Sequence, residues 1–186
     1  LYDLREGVFR KRIKGDYVCH TLDFDYVNTH NNQIEKQIMT ILKQISNDDD
    51  ELLQFNLSWM GYCLTGETDQ QKFLMVIGYT AQNGKSTMAK MFANSLPIYS
   101  KKLDKKTFNV NYANSHKQFA ELKKLIRFAY IEELDRNKVD IDRLKDFIDG
   151  DKIGGNEVLY GTTEDIIIHC KLLCTGNKDM NFDTDE

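Results

Sequence analysis

The chain has 186 residues, enough for one sizeable core or a core with a small appendage. Its hydrophobic share of 41% is ordinary for a globular domain, and apolar runs such as Ile166–Ile168 are far too short to cross a bilayer. A formal net charge of −4 excludes a chain coated in positive charge, yet leaves room for a local basic stripe. The first residue is Leu1 and the last are Thr184-Asp185-Glu186, so a fragment of a longer, soluble and intracellular protein is expected.

Residues 1 to 30 mix charge with short β-like pieces, Tyr17-Val18-Cys19 and Phe24-Asp25-Tyr26-Val27. Residues 32 to 66 read as helical. Ile34, Ile38, Leu42 and Ile45 recur at helical spacing, and Asn32 followed by Glu35 resembles a capping box. The acidic run Asp48–Glu51 suits the start of a second helix, which carries Leu52, Leu53, Phe55, Leu57, Trp59 and Met60 as a core stripe and ends near Gly66. We therefore divide the chain into an N-terminal segment, 1–66, and a core, 67–186. In the core, Lys72–Ile77 and Arg127–Ile131 suit buried parallel strands, and Thr87–Ala93 and Ile141–Ile148 suit helices. A final strand pair is expected at Asp165–His169 and Lys171–Thr175. Alternating strands and helices predict an α/β fold with a mainly parallel sheet flanked by helices. The cluster Lys101, Lys102, Lys105 and Lys106 reads as a solvated loop, because Asp104 interrupts it.

The cysteines, Cys19, Cys63, Cys170 and Cys174, lack paired zinc-ligand spacing and read as free, mostly buried thiols. No serine or cysteine has the partners of a nucleophile triad.

Asn83-Gly84-Lys85-Ser86-Thr87 follows the strand Lys72–Ile77 directly and opens a helix. Phosphates need a concave row of backbone N–H groups, which glycine allows, and a helix N-terminus aims its positive end at an anion. Residues Ala81 to Thr87 are the expected nucleotide contacts: Lys85 reaches the β- and γ-phosphates and the Ser86 hydroxyl ligates Mg2+. One departure is visible. The common loop carries its first glycine where this chain has Tyr79; Gly78 stands one residue early.

Phe128-Ala129-Tyr130-Ile131 ends in Glu132-Glu133. A hydrophobic strand ending in two acids supplies one carboxylate for Mg2+ and one to polarise the attacking water; we assign Glu132 to the metal and Glu133 to the water. The strand at Lys171–Cys174 ends in Thr175-Gly176-Asn177, and the Asn177 amide, donor and acceptor at once, suits a sensor of the γ-phosphate.

This ordered set resembles the superfamily 3 helicases, specifically the poxvirus-type primase–helicases of large DNA viruses. Leu57–Thr68, Gln71–Thr87, Leu144–Asp151 with Leu159-Tyr160-Gly161, and Cys174–Glu186 carry the resemblance. It implies a phosphate-loop ATPase of the AAA+-like kind, using ATP and Mg2+ and travelling on single-stranded DNA as a hexameric ring, in the replication compartment of an infected cell. It also implies a primase domain upstream and a β-hairpin between Asp151 and Glu164, with Lys152, Asn156 and Tyr160 as candidate DNA contacts. Gly154-Gly155-Asn156-Glu157 stands where the family carries an arginine. An arginine finger is expected beyond Glu186, since Arg127, Arg136 and Arg143 do not match its position. Two rival readings are a phosphate-loop small-molecule or nucleotide kinase, and a replication-initiator or scaffold module that only binds nucleotide.

Overall fold

The structure, a computed structural model, describes residues 1–18, 20–26, 31–78, 83–110, 112–122, 125–135, 139–150, 152–153 and 166–177. It divides into two compact units, Leu1–His30 and Asn31–Glu186.

In the first unit, β1 (Tyr2–Asp3) and β2 (Val8–Phe9) pair antiparallel, with Tyr2 opposite Phe9. Gly7 turns the chain at φ +66°. The Arg10 guanidinium donates to Asp3 at 2.9 Å and to both carboxylate oxygens of Asp16 at 2.7 and 2.9 Å. This clasp holds the segment after the hairpin in place. The strands expected near Tyr17 and Phe24 do not form at their described residues, and Cys19 and Val27 lie outside those described. A short alternating run becomes a strand only beside a partner, and here the pairing falls on Tyr2–Phe9. None of the described residues of this unit is buried.

The second unit begins with α1 (Asn32–Ile45) and α2 (Asp50–Cys63). The cap of α1 is Asn31, not the expected Asn32: its side chain accepts from the N–H groups of Gln33 and Ile34. Glu35 is then one residue too far to close a capping box. Asp49 caps α2 in the same way, accepting from Glu51 and Leu52. The sheet contains β3 (Leu74–Ile77), β4 (Ser100–Lys102), β5 (Phe128–Ile131) and β8 (Lys171–Gly176). These strands pair parallel in the order β3-β8-β5-β4. The expected loop at Lys101–Lys102 is therefore the edge strand β4. Its lysines are tolerated there because each head finds a carboxylate beside the edge, Lys101 on Glu121 and Lys102 on Glu132.

Helix α3 (Lys85–Ser95) follows β3, α4 (Ser115–Leu122) precedes β5, and α5 (Ile141–Asp149) follows it. After α5, β6 (Lys152–Ile153) pairs antiparallel with β7 (Ile166–Ile167) as a separate ribbon. The expected pair of final strands is thus split between two sheets.

Strand alternation decides the two cores. Phe128, Tyr130 and Leu173 face Met88, Ala89 and Ala93 of α3 together with Leu42, Leu53 and Trp59 of α1 and α2. Ala129, Ile131, Leu172 and Cys174 face Phe119 and Leu122 of α4 and Leu144 and Phe147 of α5. Both faces of β5 and β8 are buried, which is why these strands read as continuous apolar runs. The α2 stripe is only partly core: Leu53 and Trp59 are buried, but Leu52 and Phe55 are exposed.

Candidate functional site

Strand β3 delivers the chain to Gly78, and α3 leaves it at Lys85. Between them, Tyr79, Thr80, Ala81 and Gln82 lie outside the described residues, so the Ala81 and Gln82 expectations stay untouched. The ends of the turn are described. The Lys85 ammonium donates to the Gly78 carbonyl at 3.2 Å, to Asn83 Oδ1 at 2.7 Å and to Asn177 Oδ1 at 3.1 Å. Lys85 is only 9% exposed.

Both glycines are dictated by space. A Cβ on Gly78 would lie 1.9 Å from Asn83 Nδ2 and 3.0 Å from Lys85 Nζ. Gly84 has φ +79°, and a Cβ there would meet Ile45 Cγ1 at 2.5 Å. The glycine that stands one residue early is therefore the one under the lysine. Ser86 is half-buried and Thr87 exposed, both in the first turn of α3.

The Lys85–Asn177 bond follows from topology. Gly176 ends β8 level with Ile77, and Gly78 donates its N–H to the Gly176 carbonyl at 3.2 Å. The tips of β3 and β8 therefore lie side by side, and Asn177, exposed just past the strand, reaches the lysine. On the other side of β8, Ile131 pairs with Cys174, which places the acidic pair beside the same tip.

Glu132 is clasped by two ammonium groups, Lys90 at 2.9 Å and Lys102. Burial raises the Glu132 pKa, but the two lysines outweigh it and hold the carboxyl below the ordinary value. Lys90 stands one helical turn after Ser86 on α3, so the two side chains leave the helix on the same side. The ion pair thus puts the Glu132 carboxylate on the Ser86 side of α3. Glu133 takes a left-handed backbone, φ +55°, and its N–H donates to Thr175 Oγ1 at 3.1 Å. Its side chain is exposed.

Beside Asn83, Gly84 and Lys85 opens a cavity of about 850 Å3, walled by Ile41 and Ile45 of α1, Leu52 and Phe55 of α2, and the free edge of β3. Sequence reasoning missed this wall, because Leu52 and Phe55 sit in a stripe that looks like core.

The arginines are engaged elsewhere. Arg127 donates to the Leu64 carbonyl and lies 4.9 Å over the Tyr99 ring; Arg143 donates to Asn109 O and Ser115 Oγ. Arg136 lies outside the described residues, as do Asn156 and Tyr160. Lys152 lies on β6, at the base of an antiparallel ribbon where a hairpin is expected.

Cys63, Cys170 and Cys174 are free and buried. Burial pushes the Cys63 and Cys170 thiols up to about 12. Among the described residues, no group of histidine, cysteine and acidic side chains is arranged to hold a metal ion, and no helix is long and apolar enough to cross a membrane.

With the fold in view, comparison gives one consistent result. The chain is similar in fold to the C-terminal region of NrS-1. Three apo structures of that region superpose with TM-scores of 0.56, 0.53 and 0.57, at 14%, 11% and 14% identity. They cover 75%, 77% and 81% of this chain, which in turn spans only about a third of theirs, 33%, 32% and 36%. At such identity the likeness concerns the fold alone. No protein-family model matches the chain, and no curated protein matches it.

Proposed function

We propose that this chain is the ATP-hydrolysing core of a DNA-replication motor of the superfamily 3 helicase kind. The observation that carries this reading is the Lys85 ammonium, held at the mouth of α3 by groups at the tips of β3 and β8, among them Asn177, 92 residues further along the chain. A lysine so placed exchanges its carbonyl and amide partners for the β- and γ-phosphates of ATP. Ser86 and Glu132, on one side of α3, would hold Mg2+, which would supply positive charge beside the phosphates. Glu133 orients the attacking water, and Asn177 senses the γ-phosphate. The cavity beside Gly84 takes the base and ribose against Ile45, Leu52 and Phe55. The work done is translocation on single-stranded DNA by a ring of subunits, through the hairpin that β6 and β7 begin. An arginine finger is worth 10³ to 10⁵ in rate in related ATPases, and none of the matched positions supplies one. Turnover is therefore expected to depend on an arginine reaching this site.

The test is binding of a fluorescent ATP analogue with Mg2+, together with turnover measured with and without single-stranded DNA. Lys85→Ala is expected to abolish both. Lysine-dependent turnover indifferent to DNA would replace the motor by the kinase or scaffold reading. Binding unaffected by Lys85→Ala would overturn the site itself.

A further inference from the structure

The N-terminal unit displays three aromatic rings that no core claims. Tyr2 and Phe9 face each other across the β1–β2 hairpin with ring centroids 4.9 Å apart. Phe9 in turn lies 4.1 Å from Tyr26, at an interplanar angle of 30°. The three residues are 46%, 50% and 61% exposed, and no described residue of this unit is buried. Rings tilted against one another in a row at the surface are a platform, not a core.

Cations follow the platform directly in sequence. Phe9 runs directly into Arg10-Lys11-Arg12 and, two residues on, Lys14. Arg10 is consumed by Asp3 and Asp16. That clasp fixes the course of the segment and removes two of the unit's acids from competition. Lys11, Arg12 and Lys14 are exposed, as is Arg5 in the hairpin turn. A surface made to meet an apolar partner would keep charge away from its rings. Aromatic faces edged by cations instead match a flexible polyanion that carries flat groups of its own.

We propose that the β1–β2 hairpin is a binding surface for single-stranded nucleic acid. Unpaired bases stack on Tyr2, Phe9 and Tyr26, while Lys11, Arg12 and Lys14 meet the phosphates. This surface lies in a different unit from the nucleotide site and works without ATP, so it stands or falls separately from the ATPase reading. Glu6, Asp23 and Asp25 remain in the same unit and set a low ceiling on affinity. Binding is therefore strongest at low ionic strength and falls as salt is added.

The test is fluorescence anisotropy of labelled oligothymidylate, oligouridylate and a duplex of equal length, with the whole chain, at several salt concentrations and without nucleotide. The expected result is single strands bound tighter than duplex. Phe9→Ala weakens binding by roughly tenfold, since each stacked base contributes on that scale. Because Phe9→Ala also disturbs the hairpin, a second variant keeps the fold: Lys11→Ala with Arg12→Ala. This pair lowers the slope of log affinity against log salt by about 0.7 for each cation removed. Equal binding of thymidylate and uridylate means that the site reads bases and phosphates without the sugar; preference for one names its source. Absence of single-strand binding at low salt, duplex bound as tightly as single strand, or binding untouched by both variants would overturn the proposal.

Discussion

Gly78 shows how little freedom Lys85 has. With Asn83 Nδ2 only 1.9 Å from where a Cβ would sit, Gly78→Ala forces Asn83 away and takes one of three partners from Lys85. The change is local, because Gly78 lies past the end of β3. We expect unchanged thermal unfolding and at least tenfold weaker binding of the ATP analogue. Unchanged affinity would mean that the loop tolerates a second conformation. Glu132 offers a pH signature. Its folded pKa lies below the ordinary value of 4.5, so its ion pairs contribute stability above that pH and lose it as pH falls through the lower folded value. Both lysines are about half exposed, which keeps each pair near or below about 1 kcal/mol. The urea midpoint should fall more steeply below about pH 4.5 in the wild type than in Glu132→Gln. Parallel curves would show that the clasp does not persist in solution. At this scale the sequence was legible wherever a residue type is forced by chemistry. The departure at Tyr79 was a matter of register: the spacing of a common loop could not reveal that Gly78, one residue early, sits under the lysine. The clasp of Glu132 was hidden because Lys90 and Lys102 meet it from two other elements.

At the scale of elements, the end of α2 is held by two cations. Helices leave their last carbonyls unsatisfied, and cations there are favourable. Arg127 takes the Leu64 carbonyl, while Lys171 donates to the Thr65 carbonyl, to Thr65 Oγ1 at 3.2 Å and to the Glu67 carbonyl at 3.0 Å. Lys171 also lies 4.6 Å over the Tyr62 ring and is 3% exposed, so burial pulls its pKa below the ordinary value. Lys171→Ala leaves the half-buried Thr65 acceptors without their donor and should cost on the order of 2 kcal/mol in urea unfolding. A loss well under 1 kcal/mol would show that water replaces the ammonium at no penalty. Elements with strong periodicity or an unbroken apolar run, such as α3, β5 and β8, were legible in the sequence to within about two residues. Strand β4 was not, because Ser100-Lys101-Lys102 is polar and becomes a strand only through its neighbour β5. Nor could the sequence divide the α2 stripe into its buried half and the half that lines a cavity, since both halves are equally apolar.

On the scale of the whole molecule, helices cover both faces of a four-stranded parallel sheet, and the candidate site sits past the ends of three of its strands. The sequence order of loop, acids and asparagine carried no information about which strand lies between which. The structure supplies it: the asparagine strand separates the loop strand from the acidic strand. That placement lets one residue, Asn177, accept from Lys85 while its own strand lies beside that of the acids. Ring assembly and travel on DNA belong to the proposed function.

The central position of β8 has a consequence in time. Strands β3, β4 and β5 emerge first during synthesis, yet β3 cannot join the other two until Lys171–Gly176 slots between them. At about 5 to 20 residues per second, the 39 residues between the end of β5 and the start of β8 take seconds to emerge. For that interval the apolar flanks of β3 and β5 wait without their shared partner, a long-range pairing of the slow kind. Strand β8 is therefore both the keystone of the four-stranded sheet and the carrier of Asn177, so a nascent chain completes the hydrogen bonds around Lys85 only at the moment this core closes.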